Sequence, residues 1–255
     1  MATEPVAVVQ RVRLLNGEFD PLTLAQTVDS VFRMFHDARR GWLCTVNVAI
    51  LMMMRADPRL QGFVDRAALV VADGQPIVWC ARWFGNSLPE RVAGVDLIDA
   101  LCARAARDGK RVYLLGATHE VVSEVAQRLK DRHQGLGIDF GDGYFTRDEC
   151  ASRADSVREA RTDILFVGMG VPRQEHFLEE QWDRLGVGMA IGVGGSFDVL
   201  SGLRARAPGW MQRSGMEWLF RLAQEPRRLF KRYLVTNIQF VWLMTCTMLT
   251  RIRNR

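Results

Sequence analysis

Short apolar runs recur along the chain, at Trp42–Val46, Ala68–Ala72, Arg111–Leu115, Gly137–Phe140, Asp163–Val167 and Gly188–Val193. Amphipathic stretches separate them, clearest at Val95–Asp108, Glu120–Arg132 and Gln174–Leu185. Pro21–Arg40 carries the same helical spacing, at Leu24, Val28, Val31, Phe32 and Phe35. Residues 6–15, followed by Asn16-Gly17, read as a short strand and turn. Strands alternating with helices predict an α/β fold, a mostly parallel sheet with helices on both faces. In such sheets ligands bind beyond the carboxyl ends of the strands, so the loops there are where chemistry is expected. After Pro208 the strand pattern stops and helix is predicted to the end, with Pro226 starting a last helix that runs to about Met248.

Charge sharpens that division. From Arg204 onward, eleven basic residues face only Glu217 and Glu225, a net +9; the chain's total of +5 leaves −4 for residues 1–203. The expected organisation is an α/β core over 1–203 and a basic helical appendage over 204–255. A basic end on an acidic body points to a polyanionic partner, nucleic acid or an anionic membrane. Within the last helix, Leu234–Thr250 is free of charge and flanked by Arg227, Arg228, Lys231 and Arg232 before it and Arg251 and Arg253 after it. That run is short for a spanning helix and is interrupted by Asn237 and Gln239. An interfacial helix fits better than one packed on its own domain or on a second copy in a homo-oligomer. The N-terminus shows no basic region leading into an apolar stretch, so no secretory signal is read. Five scattered cysteines without a CxxC pair argue for reduced thiols and against a zinc site. The four histidines form no cluster, and Met52-Met53-Met54 reads as a core-facing stripe.

The strand ends carry the candidate chemistry. Thr45 and Asn47 close the first long strand, and Asp73-Gly74 closes the next. Asp73 has two readings: a carboxylate facing the crevice, with Gly74 letting a ligand approach, or a cap for the helix beginning near Gln75. Gly116, Gly168, Gly170, Gly194 and Gly195 also follow strands, and glycine loops before helices suit diphosphate oxygens as well as tight turns. Neither glycine-rich segment is a dinucleotide fingerprint, since Pro172 and Arg173 break the first, and no P-loop lysine is present.

Taken in order, these segments resemble the WecG/TagA/CpsF family, glycosyltransferase family 26. The resemblance runs through Thr45-Val46-Asn47, Ala72-Asp73-Gly74, Pro89-Glu90-Arg91-Val92-Ala93-Gly94 and Gly143-Tyr144-Phe145. It continues through Gly170–Glu175, Gly192–Asp198, Arg206-Ala207-Pro208, Glu217–Arg221 and Glu225–Arg228, spanning about residue 10 to residue 235.

The resemblance implies a Rossmann-like core that binds a UDP-sugar and inverts its anomeric carbon without a metal or other cofactor. The implied acceptor is a polyprenyl-diphosphate-linked saccharide used in cell-surface polymers, reached from the cytoplasmic face of the membrane. Asp73 would be the general base, with Thr45 beside it in the catalytic centre and Asn47 lining the sugar pocket. Arg91 and Gln174 would bind substrate, Arg91 at the diphosphate or leaving group, and Arg221, Arg228 and Arg232 would come over the site from the appendage. Single displacement needs one base at the acceptor hydroxyl and positive charge or N–H donors at the departing UDP, which these residues provide. Val46-Asn47-Val48 stands where many members have a proline and an acidic residue, leaving N-acetylmannosamine, its uronic acid and glucose open as donors. Two other classes compete: a non-catalytic nucleotide-binding regulator with a nucleic-acid-binding tail, and an NAD(P)-dependent enzyme. The resemblance implies no nucleic-acid partner.

Overall fold

The computed structural model describes residues 10–253. A small antiparallel hairpin, β1 (Val12–Leu14) and β2 (Gly17–Phe19), opens the fold. The expected strand ends where expected at Asn16-Gly17, but the chain turns back into a second strand that too few residues announced; residues 6–9 of the predicted strand lie outside the described residues. Helix α1 (Leu24–His36) follows, started by a capping box in which Thr23 and Gln26 exchange side-chain and backbone hydrogen bonds.

The main sheet holds β3 (Gly41–Val46), β4 (Leu69–Ala72), β5 (Arg111–Gly116), β6 (Gly137–Gly141), β7 (Ile164–Gly168) and β8 (Met189–Gly192). All neighbours are parallel, in the order β4-β3-β8-β7-β5-β6. Helices α2 (Val48–Ala56), α3 (Pro58–Asp65), α4 (Gln75–Trp83), α5 (Gly94–Asp108), α6 (His119–Arg132), α7 (Cys150–Glu159) and α8 (Arg173–Leu185) connect the strands. This is the Rossmann-like α/β architecture, and each of the six apolar runs became one of its strands.

Strand period two sends alternate residues to opposite faces, and the two faces carry separate cores. Val112 and Leu114 of β5, Ile164 and Phe166 of β7, and Met189 and Ile191 of β8 pack under α1, α5 and α6. Tyr113, Leu115, Leu165, Val167 and Ala190 point the other way, under α2, α4, α7 and α8. With both faces covered, a polar residue within a strand would be costly. Polar groups therefore gather at the strand ends, and those ends rim the crevice.

Beyond β8 come α9 (Ser196–Leu200), α10 (Gly209–Arg213), α11 (Glu217–Gln224) and α12 (Pro226–Arg253). Helix α12 starts at Pro226 as expected and runs one turn past the expected end. It packs along α2. Leu229, Thr236 and Phe240 are buried on one face, and Leu243, Met244 and Met248 continue that face against the core. The opposite stripe leaves Leu234, Ile238, Val241, Trp242 and Leu249 exposed, at helical spacing. Self-packing, the reading placed second to an interfacial helix, thus holds for one side of α12. Among the described residues no helix is long and apolar enough to cross a membrane.

Met52 and Met54 are buried in the core, as their stripe predicted. Cys44, Cys80 and Cys102 are buried, Cys150 and Cys246 half-buried, and all five are free thiols.

Candidate active site

Four strand ends converge on one crevice. Thr45 and Asn47 come from the end of β3, Asp73 from β4, Gly168 and Gly170 from β7, and Gly194 and Gly195 from β8; all line a cavity of about 350 Å³. That size lies within the range of small-molecule sites, about 300–1,000 Å³. Gln174 and Arg221 line it too, and α11 and α12 close it from above through Gln224, Leu229 and Tyr233.

The glycines divide into two kinds. At Gly168 an added Cβ would lie 2.6 Å from the Phe197 ring, and at Gly192 2.5 Å from Gln174 Nε2, so these positions are glycine for packing. Gly170 (φ +82°), Gly194 (φ +51°) and Gly195 have nothing within 4 Å, so their missing side chains leave space for a ligand. Gly116 belongs to the first kind, its would-be Cβ 2.5 Å from the Gly168 carbonyl oxygen, and it does not line the cavity.

Gln174 is buried at the start of α8, where its Oε1 accepts from the Gly194 backbone N–H at 3.1 Å and its Nε2 donates to Glu175 at 2.8 Å. It holds the β8 loop in shape from below. Thr45 is buried, and its hydroxyl donates to the Gly192 carbonyl at 3.0 Å, tying β3 to the same loop. Asn47 caps α2, accepting from the Ile50 N–H at 3.1 Å. The same residue lines the cavity.

Asp73 does not cap a helix. Gly74 is the cap residue of α4, and no side chain caps that end. The carboxyl is half-buried, open to the crevice and enclosed by protein on its other sides. Burial raises its pKa to about 7; Arg221 opposes the rise, Glu217 adds to it, and Arg91 opposes it. A carboxylate poised near neutrality beside an open cavity can take a proton from a bound hydroxyl.

Its charged neighbours are organised by one residue, Glu217 at the start of α11. Arg91 and Arg221 both donate to it, the second at 2.7 Å, and Arg91 also donates to Gln212 of α10 at 3.0 Å. Burial would raise the Glu217 pKa, but the two guanidiniums outweigh it and hold the carboxyl below its ordinary value. One further pair, Arg206 to Asp96 at 2.6 Å, joins the same region to the core, and another, Arg204 to Glu225 at 2.6 Å, closes within residues 204–255. Part of the basic excess read from sequence is thus spent on ion pairs with carboxylates. The side chains of Arg228 and Arg232 lie outside the described residues.

A second cavity, also about 350 Å³, opens on the other side of Asp73. Asn47, Asp73, Arg221 and Tyr233 border both cavities. Arg91 lines only the second, with Trp79 and Trp83 of α4, Trp218 of α11 and Phe240 of α12.

Sequence reasoning missed Glu217 as a site residue, although a glutamate four residues before Arg221 on a helix is an ion-pair signal. It also missed Tyr144, whose ring is 72% exposed at the mouth of the first cavity. The second cavity had no signal, because α4, α11 and α12 meet only in the folded chain.

Glycine loops at parallel strand ends, a desolvated carboxylate and a pair of held arginines give the crevice the makings of a Rossmann-like enzyme site. Residues 12–254 match the model of the "Glycosyl transferase WecG/TagA/CpsF family", and the chain belongs to that family of glycosyltransferases. A similar protein is the N-acetylglucosaminyldiphosphoundecaprenol N-acetyl-beta-D-mannosaminyltransferase of Bacillus spizizenii (strain ATCC 23059 / NRRL B-14472 / W23). It is 32% identical over 213 residues, covering 83% of this chain and 82% of the relative. Membership in an enzyme family of this kind leaves no place for the regulator or the NAD(P)-dependent reading.

Proposed function

We propose that this glycosyltransferase moves a sugar from a UDP-sugar to a hydroxyl of a polyprenyl-diphosphate-linked saccharide, inverting the anomeric carbon. The observation that carries this reading is the position of Asp73, bordering a glycine-walled cavity on one side and an aromatic-walled one on the other. The donor occupies the first, with its diphosphate against Gly170, Gly194 and Gly195. The acceptor sugar reaches Asp73 from the second. As the acceptor oxygen attacks C1, Asp73 takes its proton, the C1–O bond to the β-phosphate breaks, and UDP leaves with the electron pair. Arg221, bordering both cavities, and loop N–H groups other than that of Gly194, which Gln174 holds, stabilise that charge. Thr45 acts through the loop it anchors, and Asn47 offers Nδ2 to the donor sugar.

Of the three donors left open, N-acetylmannosamine is favoured by the name of the Bacillus spizizenii relative, which also names a diphosphoundecaprenol-linked acceptor. The division of labour follows the sequence division: residues 1–203 supply the strand-end loops, and 204–255 close the site and bring the protein, as a peripheral protein, to an anionic membrane on the cytoplasmic side. The exposed stripe of α12 and its basic flanks support that placement.

The test is transfer from radiolabelled UDP-N-acetylmannosamine, its uronic acid, UDP-glucose and UDP-N-acetylglucosamine to a short-chain polyprenyl-diphosphate-linked sugar. Product from the first donor supports the reading; product from none, with UDP still bound, would show the acceptor assignment to be wrong.

A further inference from the structure

The second cavity has a chemistry of its own. Its charged members are Asp73, Arg91, Glu217 and Arg221, the two arginines joined through Glu217, while most of the remaining wall is apolar. Trp79 packs close to Gly215, where an added Cβ would lie 2.9 Å from the indole. Phe240 is buried between α12 and α2, and Met244 continues that wall. Trp83, 60% exposed, and Val241, 55% exposed, lie on the solvent side of the same wall. Val241 also belongs to the exposed stripe of α12 with Ile238 and Trp242. An apolar path therefore leads from the outer face of α12 to the arginine pair.

We propose that this cavity seats the isoprene units nearest the acceptor's diphosphate, with Trp79 and Trp83 of α4 forming its core-side wall. The proposal rests on the lipid-linked acceptor read above and assigns where its hydrocarbon goes. The guanidinium on the acceptor side sets the orientation. A diphosphate belongs at Arg91, which lines this cavity and not the first, the sugar beyond it at Asp73, and the chain on the aromatic side. The assignment places lipid recognition partly on a helix of the catalytic core rather than on the C-terminal helices alone.

The test measures the full chain in detergent with two acceptors that share sugar and diphosphate, one bearing a polyprenyl chain and one a short alkyl group. Trp83→Gln is the variant, since an exposed indole can be replaced without emptying a core. The expected result is that the ratio of kcat/KM for the polyprenyl over the alkyl acceptor falls about tenfold, the scale of one lost apolar anchor. An unchanged ratio would overturn the proposal while leaving transfer itself intact. Calorimetry with farnesyl diphosphate separates the two readings. Weaker farnesyl diphosphate binding in Trp83→Gln, with UDP binding as in the wild type, supports the cavity even if neither acceptor is glycosylated. Equal farnesyl diphosphate affinity in both proteins would overturn it.

Discussion

The two cavities beside Asp73 are of equal size and are built in opposite ways. The first is made of backbone: strand ends and glycines held by buried hydrogen bonds from Gln174 and Thr45. The second is made mostly of side chains from α4 and from the pair α11 and α12, more than 130 residues later in the chain, with the start of α2 beside them. A phosphate-binding wall needs N–H groups and room, which a parallel sheet provides at its carboxyl edge. An apolar wall needs only large side chains brought together, and any helices can do that. The contrast implies that changes on the first side should act on the donor, changes on the second on the acceptor, and changes at Asp73 on both.

The largest break is expected at the shared residue. Asp73→Asn should lower turnover by about 10²–10⁴-fold, the usual contribution of a general base, while UDP affinity measured by calorimetry stays the same. The same substitution should stabilise the fold. A carboxyl whose folded pKa is raised to about 7 costs stability progressively as pH rises from its unfolded value, and fully above 7. Thermal melts should therefore show Asp73→Asn above the wild type at pH 8, with the gap closing toward pH 4.

Arg221→Ala should come next, with kcat lowered by about 10²–10³-fold, as for loss of one donor to a developing anion. Single-turnover transfer rates would read it, and an unchanged rate would remove Arg221 from leaving-group stabilisation. Gly195→Val should sharpen the contrast. Its Cβ enters open space on the donor side, so donor KM should rise about tenfold while acceptor KM holds. Equal effects on both KM values would mean that the two cavities are not separate sites.

The smallest effect is expected at Glu217→Gln. Glu217 adds to the upward shift of Asp73, whereas Arg91 and Arg221 oppose it. Removing its charge should move the acid limb of the pH–rate profile downward from 7, by less than about one unit. Asp96 and Arg206, themselves paired, and Tyr233 share that environment and remain in place. A limb moving upward would contradict the arrangement.

The same contrast explains what the chain disclosed before folding. The sheet was legible because each apolar run had to be a strand covered on both faces, and Thr45, Asn47 and Asp73 were legible as polar residues ending such runs. The glycines were only half legible. Gly116 and Gly168 face neighbouring backbone and a phenylalanine, Gly170, Gly194 and Gly195 face open space, and spacing alone does not separate them. Asp73 stood between helix cap and ligand-facing carboxylate until Gly74 took the cap position. Glu217 read as one of two acids in a basic tail because its partner Arg91 lies 126 residues away. Trp79 and Trp83 read as nothing, since an aromatic on an amphipathic helix has no signature until another helix faces it.

The measurement that tests the central claim most directly is the pH–rate profile of sugar transfer, wild type against Asp73→Asn, from about pH 5 to 9. With Asp73 as base, the wild-type rate should fall about tenfold per unit below an apparent pKa near 7, and the variant should run at a low rate without that limb. An acid limb near 7 that survives in Asp73→Asn would assign the proton to another group and contradict the account.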